Sequence, residues 1–100
     1  MKKKFAFLLM GEQYDPMVHR AIFETEKQIT LIQTVRSFEE AHEKILELQK
    51  EGFGAVELCG AFGKEKAQRL TELTHHTMAI GYVVHEPELD ELFQNFFSSF

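Results

Sequence analysis

The sequence predicts an α/β domain, and three features point there. Short apolar runs of strand length, Phe5–Met10, Ala55–Cys59 and Met78–Val84, alternate with stretches whose apolar residues recur at helical spacing. Capping signals open the helical stretches, and glycines close or separate them. The segment Gly52-Phe-Gly-Ala-Val-Glu-Leu-Cys-Gly-Ala-Phe-Gly-Lys-Glu65 reads as a buried strand, a glycine-punctuated turn and a helix, the local grammar of a parallel sheet.

Taken in order, Phe5–Met10 is apolar at every position, as expected of a central strand covered on both faces, and Gly11 ends it. Asp15-Pro16 reads as a helix start, with Asp15 as N-cap and Pro16 at the first helical position, so a short helix is expected from Pro16 to Phe23. Ile29–Val35 is a second strand, whose Thr30, Gln33 and Thr34 suit a sheet edge. Ser37 and Glu40 make a capping box. Phe38, Ala41, Ile45 and Leu48 then define one buried helical stripe, which Gly52 stops. Ala55–Cys59 is the third strand, followed by a helix from Lys64 to His75 with Ala67, Leu70 and Leu73 facing inward. Met78–Val84 is the fourth strand, and Glu86-Pro87 opens a last helix carrying Leu89, Leu92, Phe93 and Phe96 on one face.

The long gap between Met10 and Ile29 suits a parallel crossover and exceeds a tight hairpin. The expectation is therefore a single three-layer domain over residues 1–100. Its sheet is mainly parallel and four-stranded, in the order 2-1-3-4 of a truncated flavodoxin-like sheet. The alternative is an α+β sandwich in which the first two strands pair antiparallel.

Composition excludes several function classes. Hydrophobic residues at 44% and charged residues at 27% are ordinary globular values. A net charge of −5, with no dense Lys/Arg stripe, argues against a nucleic-acid partner. Lys2-Lys3-Lys4 precedes an apolar run too short for a signal-peptide core or a membrane span, so a cytoplasmic protein without a membrane partner is expected. The lone Cys59 has no internal disulfide partner, which fits a reducing compartment.

Three strings carry a resemblance: Phe5-Ala-Phe-Leu-Leu-Met-Gly with Tyr14-Asp-Pro and His19-Arg20, then Glu57-Leu-Cys-Gly-Ala-Phe-Gly63, then Gly81-Tyr-Val-Val-His-Glu-Pro87. They resemble a family of small bacterial proteins catalogued only as a domain of unknown function. The resemblance spans nearly the whole chain and implies an uncharacterised cytoplasmic protein; it names no catalytic residue.

In a parallel sheet the strand C-termini share one edge, where ligands bind. That edge is expected to gather Tyr14, Asp15, Arg36, Glu57, the turn Gly60–Gly63 and His85, with His19 and Arg20 in reach if a helix begins at Pro16. Glu57, inside an apolar strand, is the candidate general base or acid, against a plain ion pair with Arg36 or Arg20. His85, whose imidazole titrates near neutrality, is its candidate partner in proton transfer, against a ring that packs beside a helix start. Tyr14, His19, Arg20, Arg36, Gly60 and Gly63 are the candidate ligand-binding residues. The Gly60–Gly63 turn matches no nucleotide fingerprint, and no motif calls for a cofactor or metal; a His19, Glu57 and His85 metal set lacks any signature. Cys59 reads as a small buried hydrophobe or a nucleophile, and His75-His76 as solvated or capping their helix.

Three functions follow. The first is binding of a small anionic or carbonyl metabolite at the strand-end edge. The second is a small enzyme doing acid/base chemistry there with Glu57 and His85. The third is an oligomeric structural or partner-binding domain. A homodimer or higher homo-oligomer is expected through the C-terminal strand and helix, because Met78–Val84 is an uncharged outer strand and Phe97 and Phe100 add an apolar strip.

Overall fold

The computed structural model describes residues 1–98. In chain order they form β1 (Lys3–Met10), β2 (Ala21–Glu24), β3 (Gln28–Val35), α1 (Phe38–Lys50), β4 (Ala55–Leu58), α2 (Gly63–Leu73), β5 (Ala79–Tyr82), a 3-10 turn (Pro87–Leu89) and α3 (Asp90–Phe97). The strands make one α/β sheet in the order β2-β3-β1-β4-β5. β1 is parallel to both β3 and β4, and β4 is parallel to β5. Only β2 runs antiparallel, against β3.

The sheet is thus mixed and five-stranded, not four-stranded. The parallel pairing of β1 with β3 removes the sandwich alternative. The extra strand replaces the helix expected from Pro16 to Phe23. Asp15 does start a helical turn: its carboxylate accepts from the Met17 amide at 3.0 Å and its carbonyl from His19 N–H at 2.8 Å. The turn then stops because β3 takes its carbonyls. Gln33 Nε2 donates to Pro16 O at 3.1 Å, and Thr34 Oγ1 to His19 O at 2.7 Å. The chain continues as β2, so β3 is an interior strand and not the expected edge. Gln33 and Thr34 bond the adjoining loop, whereas Thr30 Oγ1 accepts from Gln28 Nε2 on its own strand at 2.9 Å.

The layering also differs from expectation. The crossovers β3-α1-β4 and β4-α2-β5 step across the sheet in the same direction, so right-handedness places both helices on one face. The core lies there. Ala6 and Leu8 of β1, Leu31 and Val35 of β3, and Val56 and Leu58 of β4 pack against Ala41, Ile45 and Leu48 of α1 and Ala67 and Leu70 of α2. Among the described residues no helix covers the other face, so they form two layers and not the expected three. Register defines that open face in rows: Ala21, Ile32, Phe7, Glu57 and Gly81 in one, Phe23, Thr30, Phe5, Ala55 and Ala79 in the next. Ala6 and Leu8 are 0% exposed, whereas Phe5 and Phe7 on the same central strand remain half-buried and Phe23 is exposed.

Helix ends explain where the elements stop. Ser37 Oγ accepts from the Glu40 amide at 3.2 Å, the expected N-cap. The Glu40 carboxylate reaches one residue further back, to the Arg36 amide at 2.7 Å. At the other end Gly52 takes φ 91°, with Gly52 N–H on Gln49 O and Phe53 N–H on Leu48 O. α2 closes with the same pattern but without glycine: His75 and His76 sit at φ 55° and 57°, their amides on Glu72 O and Thr71 O.

The last helix supplies no third layer among the described residues. Among the described residues its extended packing is with the preceding 3-10 turn, and Leu92 stands 66% exposed and Phe97 71%. Phe100, assigned to the same apolar strip, lies outside the described residues.

Candidate functional site

The C-terminal ends of the parallel strands do share an edge, and the residues there divide into two groups. The first hangs on the loop between β1 and β2. Gly11 N–H donates to Val35 O at 3.0 Å, fixing the loop over the end of β3. His19 Nδ1 accepts from the Asp15 amide at 2.8 Å, and the Tyr14 ring meets the His19 ring edge-on at 5.9 Å. Arg20 Nε donates to Gln33 Oε1 at 3.1 Å. Tyr14, His19 and Arg20 are therefore brought together at the end of β3, although by a turn and not by the expected helix.

Arg36 leaves β3 beside them, but its guanidinium is occupied: Nε and Nη2 donate to Glu40 Oε2 at 3.0 and 2.7 Å. This hydrogen bond holds the Glu40 carboxyl below its ordinary value and raises Arg36. The adjoining cleft, about 230 Å³, is lined by Asp15, Glu40, Glu43 and Glu47 against only Arg36 and Lys44. Lys44 in turn lies 3.4 Å from Glu47. A cleft with more carboxylates than cations, its cations already paired, disfavours an anionic ligand.

The second group is built on β4 and β5. Glu57 projects from the open face between Phe7 and Gly81. Its carboxylate lies across Gly81, close enough that a Cβ there would collide with both oxygens. A glycine at this position lets the carboxylate lie there without being displaced. Among the described residues Glu57 forms neither the ion pair with Arg36 nor that with Arg20, since Glu40 and Gln33 hold those cations. His85 turns away toward α3. Its Nε2 lies 2.6 Å from Asp90 Oδ1, and its ring stacks on Phe93 at 4.0 Å. The structure joins Glu57 and His85 by no hydrogen bond.

Gly60 is exposed in the turn after β4, and Gly63 begins α2 at φ 75°, a conformation that favours glycine. Cys59 Sγ accepts from the Met10 amide at 3.4 Å, a structural use of the thiol. Among the described residues no group of three His, Cys, Asp or Glu side chains stands close enough to hold a metal, and no helix is long and apolar enough to cross a membrane.

Sequence reasoning missed Gln33, which is 1% exposed and ties the loop to β3 through Arg20 and Pro16. It also missed Gly81. A lone glycine inside a strand-like run was the available signal there, whereas nothing local distinguished Gln33 from an edge residue.

No match was found among curated proteins or among solved structures. A family model, Family of unknown function (DUF6506), matches residues 3–98. The chain belongs to that family.

Proposed function

We propose that the protein acts as a self-associating domain, a homodimer or higher homo-oligomer assembled through its C-terminal strand and helix. The observation that carries this reading is α3. Leu92, Phe93 and Phe97 are 40–71% exposed on a helix that makes no extended contact with a strand among the described residues, and Leu89 in the turn before it is 40% exposed. Burying one such side chain is worth about 1.5–3 kcal/mol, so leaving several in water is costly unless another surface receives them. β5 adds an outer strand edge with Val83 and Val84 exposed just beyond it.

Binding of a small metabolite is the second reading, and the Glu57 carboxylate amid the apolar open face is what favours it. The strand-end cluster supports an anionic or carbonyl ligand less well, because Arg36 and Arg20 already hold protein groups. Acid/base chemistry by Glu57 and His85 is weaker still, since His85 faces Asp90 and Phe93. The free Cys59 supports a reducing, cytoplasmic setting.

The test is thermal unfolding across a hundredfold range of protein concentration. Folding coupled to assembly makes Tm rise with concentration, and Leu92→Asp removes that dependence. A wild-type Tm independent of concentration contradicts the reading.

A further inference from the structure

We infer that the open sheet face of one chain is the surface that receives α3 of a second copy, each chain covering the other. This deepens the self-association reading and rests on it.

Three observations name the occupant. First, β1 is apolar at every position from Phe5 to Met10, the pattern of a strand buried on both faces, yet only its Ala6 and Leu8 side is sealed. The other side, with Phe5, Phe7 and Ile32 only half-buried, is covered by no helix among the described residues. Secondly, the same chain carries an apolar helix that makes no extended contact with the sheet among the described residues. His85 binds Asp90 and stacks on Phe93, so the ordered contacts of α3 are with the segment that follows β5 and with the 3-10 turn. The molecule is accordingly long, 43 × 28 × 24 Å, with a radius of gyration of 14.2 Å against about 13 Å for a compact chain of this length.

Thirdly, the two surfaces fit each other in size and charge. α3 is about 12 Å long, and a four-residue strand such as β4 about 13 Å, so the helix lies along the face without overhang. The exposed parts of Leu92, Phe93 and Phe97, the sheet area they cover and the two-fold repeat bury on the order of 1,500 Å² in total, within the range of a stable interface. Lys3 continues the open face below Phe5, with Lys27 beside it, opposite in charge to Glu88, Asp90 and Glu91 at the start of α3. Reciprocal exchange satisfies helix and face together on both chains. An unrelated partner covering one of them leaves the other bare.

The test uses two full-length chains of distinguishable mass, both Cys59→Ser, one carrying Leu92→Cys and the other Ile32→Cys. They are mixed and treated with a short bis-maleimide. The expected result is a product joining the two different chains, absent when Ile32→Cys is replaced by Lys64→Cys, which lies at the start of α2 on the covered side. Phe23→Asp, an exposed open-face position that leaves the core intact, raises the dimer dissociation constant at least tenfold. A wild type that sediments as a monomer overturns both this inference and the self-association reading. A dimer that gives no Leu92–Ile32 product and ignores Phe23→Asp overturns this inference alone. Cross-linking confined to a doubly substituted single chain shows that α3 covers its own face, and overturns it too.

Discussion

Replacing Gln33 with methionine tests how the loop carrying Tyr14, His19 and Arg20 is held. The side chain is 1% exposed, donates to the carbonyls of Pro16 and Thr34, and accepts from Arg20 Nε. Methionine keeps the length and shape and removes the amide, so two partly buried carbonyls lose a donor. Each such loss costs about 1–3 kcal/mol, while Arg20, on the surface, turns to water. The two losses should together cost at least about 2 kcal/mol, a large share of the 5–15 kcal/mol available to a domain of this size. Urea denaturation should show that loss with an unchanged m-value, and Tm should fall by roughly 10–20 °C. Hydrogen exchange supplies the local readout: amides 14–19 should lose protection before those of β1. Gln33→Glu should be worse, because it sets a carboxylate against the same carbonyls. A loss under about 0.5 kcal/mol, the scatter of ordinary surface substitutions, with the loop amides still protected, would refute the reasoning.

Three further outcomes follow from the geometry. Glu40 has its folded value lowered, first by the hydrogen bond from Arg36, so its contribution is complete above the ordinary Glu value of about 4.3 and is lost as pH falls through the lower folded value. Glu40→Gln should therefore flatten the acid limb of stability measured by urea titration at several pH values, and leave the alkaline limb unchanged. His75→Gly relieves a side chain held at φ 55° and should raise stability by about 1 kcal/mol in denaturant titration; an unchanged midpoint contradicts the strain. Gly81→Ala should be nearly neutral beside Glu57, whose flexible end must shift, and stabilising by about 0.5–1 kcal/mol in a Glu57→Ala background. Equal effects in the two backgrounds would show that the carboxylate does not lie across Gly81.

Where the determinants are local, the sequence was a good guide. The apolar runs of β1, β4 and β5, the Ser37 cap and the Gly52 stop are set within a few residues, and those elements stand where they were expected. The error at Pro16–Phe23 has a long-range cause. Asp15-Pro16 encodes one helical turn, and whether it continues depends on Gln33 and Thr34, which compete for its carbonyls from another strand. The same distance hid the site. Arg36 looked free for Glu57, but Glu40 lies one helical turn away and captures it. His85 shares a strand end with the other candidates, yet Asp90 and Phe93 draw it to α3. A third layer was inferred from apolar content that is present in full. The described residues bury it only in part, and that mismatch is the ground for proposing a second copy as the cover.

Sedimentation equilibrium of the wild-type chain at tens of micromolar is the most direct test of that claim. The account predicts a mass at least twice the 11.6 kDa of one chain. A single species at the one-chain mass across that range would contradict it.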